Sequence, residues 1–262
     1  MQRNEFIKLL EKHGAFILKV DDIKERFNTL ANIPVVFPDG GSMLGSVWYM
    51  TEIQTNIEQT NKKSVYLFDP YNNPGQYGES LTDINELVKK AILPSGESLA
   101  DYLVRTDSIV ANGIHYYTSK GSLKAHNDIN RLTILYSDGG TSVDLGGVWY
   151  KIGRGSCDNS DYVLEDDELI AMWGISTYLE TRLTEHPQLP IFHRVDELPA
   201  DKVTYGMFIE DDNRDLKFEL PGGLVTTKGM FQDTYFRSIP IDDSNQQIAD
   251  IADGLRNNYI GM

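Results

Sequence analysis

Apolar residues at Phe6, Leu9 and Leu10 recur at helical spacing, which predicts a helix over residues 5–13 closed by Gly14 as a C′ residue. The apolar run 15–20 then predicts a buried strand, and residues 21–31 a second helix that the Asp21 side chain can cap. Pro34, Pro38, Asp39, Gly40 and Gly41 break the pattern, so residues 32–46 are expected to be a loop. Strands are predicted at 46–53 and 64–68, and helices at 83–91 and 98–104.

Past Asp107 the pattern changes to short apolar segments separated by turn residues, the spacing of a β-sandwich or barrel. Predicted strands are 108–117, 132–137, 148–152, 168–173, 190–195, 202–209 and 234–239. Helical spacing returns over 245–255, with Ile248, Ile251 and Leu255 on one side. No repeat, linker or low-complexity tract interrupts the chain. The expectation is one domain over 1–262: a helix-rich part at about 1–105, a β core at about 106–240, and a carboxy-terminal helix at about 243–259.

Composition narrows the function classes. A chain of 262 residues can bury a full core. Its 24 Lys and Arg against 39 Asp and Glu give a formal charge of -15, which would repel phosphate backbones, so nucleic acid is not an expected partner. A lone cysteine, Cys157, cannot form an internal disulfide, which fits a reducing compartment. The first residues, Met-Gln-Arg-Asn-Glu-Phe-Ile-Lys, hold no apolar stretch of signal-peptide length, and no run approaches the roughly 20 residues that span a bilayer. A cytoplasmic protein without a membrane partner is expected. Oligomeric state is not legible in the sequence.

Candidate chemistry concentrates in the β-rich half. His126 and Asp128 flank one residue, and residues i and i+2 of a strand share a face, so both can turn to one ion. His193, in Ile-Phe-His-Arg-Val, is a third candidate ligand that a distant strand would have to bring alongside; His186, before Pro187, is its rival but is expected in an exposed loop. Two imidazoles and a carboxylate on one face of an octahedron leave the other face open, the arrangement of mononuclear non-heme Fe(II) sites. His13 is expected to be a cation favoured at a helix end, His115 to be either a pocket residue or a plain strand residue, and Arg131 to be exposed to solvent. Residues 40–45 and Gly153-Arg154-Gly155 lack the lysine of a phosphate-binding loop and read as turns. Cys157 has no motif around it, and no serine sits in a nucleophile elbow.

The ordered fragments His126-x-Asp128-x-x-x-Leu132-Thr133-x-Leu135, Gly139-Gly140-x-x-Val143, Gly147-x-Trp149-x-x-Ile152, Gly174 with Leu179-Glu180, and His193-Arg194-Val195 resemble a known family. It is the isopenicillin N synthase-like branch of the Fe(II)/2-oxoglutarate-dependent oxygenases, and the resemblance covers about residues 114–210. Leu10-Glu11-Lys12-His13-Gly14-Ala15-Phe16 is similar to that family's opening helix and first strand.

The resemblance implies a mainly β fold with flanking helices, a distorted double-stranded β-helix or jelly roll of cupin-like type. It implies that His126, Asp128 and His193 hold Fe(II), with 2-oxoglutarate as cosubstrate, O2 as oxidant and a small-molecule substrate whose C–H bond is hydroxylated, desaturated or cyclised. Where the family carries Arg-x-Ser to grip a carboxylate, this chain has Lys202-Val203-Thr204, and Tyr117 matches a tyrosine that binds the same group. Lysine keeps the charge but loses the planar fork of arginine. In isopenicillin N synthase itself that motif holds the substrate and no oxo acid is used. An oxidase independent of 2-oxoglutarate is therefore one alternative, and a non-catalytic jelly-roll binding protein is another.

Overall fold

The structure, a computed structural model, describes residues 1–37, 42–44, 47–50, 59–67, 77–128, 130–137, 140–154, 160–181, 183–211, 217–220 and 223–226. The expected strand at 234–239, the carboxy-terminal helix and Cys157 lie outside the described residues.

Helix α1 (Arg3–Lys12) leads into strand β1 (Ala15–Lys19) through Gly14, whose φ of +92° suits the expected C′ role. Helix α2 (Ile23–Ala31) follows. Its N-cap residue is Asp22, at φ 61°, and no side-chain cap hydrogen bond forms, so the expected capping by Asp21 is not what starts this helix. Burial of Ile23, Phe27 and Leu30 holds it instead. The hairpin β2 (Ser42–Leu44) and β3 (Val47–Met50) pairs onwards with β4 (Gln59–Leu67). Helices α3 (Gly78–Val88) and α4 (Leu99–Thr106) come next, and the Ser98 hydroxyl accepts the Asp101 N–H to cap α4.

Strand β5 (Ser108–His126) runs 19 residues, far beyond the predicted 108–117. Its first part pairs with β12 (Lys202–Asp211), its end with β11 (His193–Val195), and β4 pairs along it from Asn112 to Leu123. Between them lie β6 (Leu132–Ser137), β7 (Thr141–Asp144), β8 (Trp149–Arg154), β9 (Tyr162–Leu164), β10 (Glu168–Trp173) and the short helix α5 (Ile175–Thr181). The sheet runs β1-β10-β6-β12-β5-β11-β7-β8-β9 and curls into a jelly roll; its pairs are antiparallel except β8 with β9. Strands β13 (Lys217–Leu220) and β14 (Gly223–Thr226) form a separate hairpin. Among the described residues no helix is long and apolar enough to cross a membrane.

Alternation along the strands assigns the two faces of the curled sheet. Leu132, Ile134 and Tyr136 of β6, and Tyr205, Met207 and Ile209 of β12, join Phe27, Leu81, Ile84 and Leu99 in a core under the helices. Thr133 and Leu135 of β6, and Thr204, Gly206 and Phe208 of β12, face the other way, into the barrel. A second cluster, with Val143, Ile152, Ile170 and Met172, fills one end of that interior beneath α1. Among the described residues, the other end of the interior carries the polar side chains of the candidate site, with Phe208 beside them.

Candidate metal centre

His126 ends β5 and His193 opens β11, and the two residues are direct partners in the antiparallel pairing of these strands. Their ring centroids are 4.2 Å apart. Asp128 lies two residues beyond the strand end, with Oδ1 3.6 Å from His126 Nε2 and Oδ2 3.7 Å from His193 Nε2. One ligand atom from each residue lies within 4.8 Å of the others. Thus the three side chains expected to converge do so, while His186 is exposed and is no part of the cluster.

Hydrogen bonds set the donor atoms. His126 Nδ1 sits 2.8 Å from the Lys124 carbonyl and His193 Nδ1 3.5 Å from the Ile191 carbonyl. Those carbonyls can only accept, so each Nδ1 carries the proton and each Nε2 lone pair is turned toward Asp128. Burial, reinforced by the neighbouring His193, pushes the His126 imidazole down to about 3, so it is neutral at physiological pH. Two imidazoles that present Nε2 and a carboxylate, with the outer nitrogens tied to carbonyls, form a donor set fit for a divalent first-row ion.

The Asp128 loop is held from several sides. Thr133 Oγ1 donates to Asp128 Oδ2 at 2.5 Å and accepts from Asn130 Nδ2 at 3.0 Å. The Ile175 N–H donates to the Asp128 carbonyl, and the Gly174 N–H to the Arg131 carbonyl, both at 2.9 Å. Gly174 lies so near the loop that no side chain fits between them. Arg131, expected in solvent, is instead buried: its guanidinium pairs with Glu180 of α5, and Tyr102 and Thr177 join the same network. The loop that presents Asp128 inward turns the next side chains beneath α5, which draws Arg131 out of solvent. His13, expected to be a helix-end cation, is half-buried, and burial and the neighbouring Lys12 charge lower its basicity while Asp144 opposes them.

Away from the cluster, adjacent strands line up polar residues across the barrel interior. Lys62 of β4, Tyr117 of β5 and Lys202 of β12 form one row; Ser64, His115 and Thr204 form the next. Tyr117 and Thr204 are buried and Lys202 is half-buried. His115 is buried, with Nδ1 2.9 Å from Ser64 Oγ, and burial lowers its basicity well below the usual imidazole range. Lys62 is the residue that sequence reasoning missed. It is 5% exposed, its ammonium lies 5.7 Å from the centre of the Tyr117 ring, and burial pushes it down to about 8.

No family model matches the sequence. A search of curated proteins finds no match. Solved structures do match. A dioxygenase for auxin oxidation from rice aligns over 89% of this chain and 90% of its own, with 14% identity and a TM-score of 0.53. JOX2, crystallised with 2OG, Fe and JA, aligns over 90% and 81%, with 13% identity and a TM-score of 0.55. A protein of the 2OG-Fe(II) oxygenase family from Caulobacter crescentus aligns over 88% and 92%, with 16% identity and a TM-score of 0.54. The chain therefore has the fold that these oxygenases share.

Proposed function

We propose that this chain, acting as a single domain, is a non-heme Fe(II), 2-oxoglutarate-dependent oxygenase that oxidises an unactivated C–H bond of a small molecule. The observation that carries the reading is the convergence of His126, Asp128 and His193, with ligand atoms within 4.8 Å, on the barrel interior of a fold shared with such enzymes. Fe(II) and 2-oxoglutarate bound there would supply the oxidation, consuming dioxygen and releasing succinate and carbon dioxide.

The chain's own residues would do the positioning. His126 and His193 would present Nε2, fixed by their Nδ1 contacts, and Asp128 one carboxylate oxygen, the other being held by Thr133. Lys202, Thr204 and Tyr117 would receive the far carboxylate of the oxo acid, Lys202 as a point charge and the two hydroxyls as donors. Phe208, its ring 6.1 Å from His115, and Leu135 would keep water from the interior.

A second reading, an oxidase that uses no oxo acid, is favoured by Lys202 standing where the family that the sequence resembles carries arginine. Anoxic addition of Fe(II) and 2-oxoglutarate separates the two. A weak visible charge-transfer band, with succinate formed on admission of air, is the expected result. Iron binding with no band and no succinate would favour the oxidase, and failure to bind iron would sink both.

A further inference from the structure

We infer that Lys62 is a second cation for the far carboxylate of the oxo acid, gripping it from β4 while Lys202 approaches from β12, with Tyr117 between them. The inference rests on the function proposed above and extends it, because it assigns a role to a strand outside the motif-bearing half of the chain.

Three features of Lys62 carry it. The first is its place: Lys62 and Lys202 both pair with Tyr117, one from each side, so the three side chains share one face of the sheet. Exposed Lys63 and buried Lys62 and Ser64 fix that face as the inward one.

The second is local backbone design. The β4–β5 register shifts between Thr60 and Lys62, and Asn61 in that bulge takes φ 49°, with its amide donating to the Ser119 carbonyl at 3.0 Å. Bulges re-aim the next side chain, and here the next side chain is the lysine that turns inward.

The third is electrostatic neighbourhood. The Asp128 charge acts on the Lys62 ammonium, and the Lys62 charge acts in turn on His115 and His126, so the lysine and the metal cluster share one poorly screened interior. Burying an ammonium costs several kcal/mol. An arginine fork offers two parallel donors to the two oxygens of a carboxylate, and a single lysine cannot. Two lysines on opposite flanks of Tyr117 restore two-point contact, and they select an oxo acid with a second carboxylate.

The test is titration of the anoxic Fe(II)-loaded protein with 2-oxoglutarate and, separately, with 2-oxobutyrate, which keeps the chelating end but lacks the far carboxylate; binding is read by calorimetry. Lys62→Met is expected to weaken 2-oxoglutarate by about 10- to 100-fold, as for loss of a hydrogen bond to a charged group. The same variant should leave 2-oxobutyrate within about threefold of wild type, and Lys62→Arg should restore most of the lost affinity. Should Lys62→Met fail to fold, Lys62→Gln serves the same comparison. Wild-type affinity for 2-oxoglutarate in Lys62→Met or Lys62→Gln, or equal loss for both acids, overturns the inference while leaving the proposed function standing. Wild-type protein that takes up iron but binds no 2-oxoglutarate overturns the proposed function, and the role of Lys62 with it.

Discussion

A β-carbon added to Gly174 would stand 2.0 Å from the carbonyl oxygen of Asn130 and 2.9 Å from that of Asp128. The end of β10 and the ligand-bearing loop thus meet backbone to backbone. Neither side can yield as a flexible side chain could, so Gly174→Ala must displace the loop or the start of α5. Overpacking of this kind typically costs about 1–3 kcal/mol. The expected outcome is a Tm lower by roughly 5 °C, given about 2–4 °C per kcal/mol in chains this long, together with at least tenfold weaker Fe(II) binding. A thermal melt and a competition titration with a metal-sensitive dye check both, and a variant unchanged in both would show the contact to be slack.

Thr133→Val removes the hydroxyl that holds Asp128 Oδ2 while nearly preserving side-chain shape. Outer partners of metal ligands commonly affect affinity by about 10- to 100-fold. The variant should therefore fold normally by circular dichroism yet bind Fe(II) at least tenfold more weakly. Unchanged iron affinity would mean that Asp128 is oriented by its backbone alone.

Lys62 also makes a prediction about stability and pH. Its amine is pushed down to about 8 in the folded protein from the ordinary 10.5. Between those values the unfolded chain binds the extra proton, so this group's contribution to stability rises as pH rises through that window. Below about pH 8 the buried charge is present and its cost is complete. Lys62→Met should accordingly be more stable than wild type at pH 7, with the difference shrinking by pH 10. Chemical denaturation at the two pH values isolates this, because the other lysines titrate equally in both proteins. A constant difference would place the ammonium in water.

Legibility followed the strength of the local pattern. Strands β6 and β10 begin and end where the alternation of Leu132-Thr133-Ile134-Leu135 and the run Glu168–Trp173 predict, because each is buried against a well-defined apolar face. The four-residue β7 and three-residue β9 were invisible, being too short to show a period. Helix α5 was missed as well, since Ile-Ser-Thr-Tyr-Leu-Glu-Thr is rich in β-branched residues and its hold on the chain is tertiary, through Thr177 and Glu180.

At the site, His126, Asp128 and His193 were readable because each lies in an ordered run of motif residues. Lys62 was not, because Gln-Thr-Asn-Lys-Lys-Ser holds no apolar residue to mark a face, and only the curl of the sheet shows that one of its faces is interior. The burial of Arg131 was likewise hidden, since Glu180 and Tyr102 reach it from distant points in the sequence.

Strand β5 joins the barrel to the candidate cluster. Its 19 residues pair with β4, β12 and β11, and its last residue is a candidate ligand whose partner His193 arrives on a strand formed much later in the chain. The donor triangle cannot exist until β11 docks on the end of β5, because His193 meets His126 only in that pairing. A tightly held ion would therefore act as a latch on tertiary closure, favouring only the completed barrel and raising its resistance to unfolding in proportion to the logarithm of free metal.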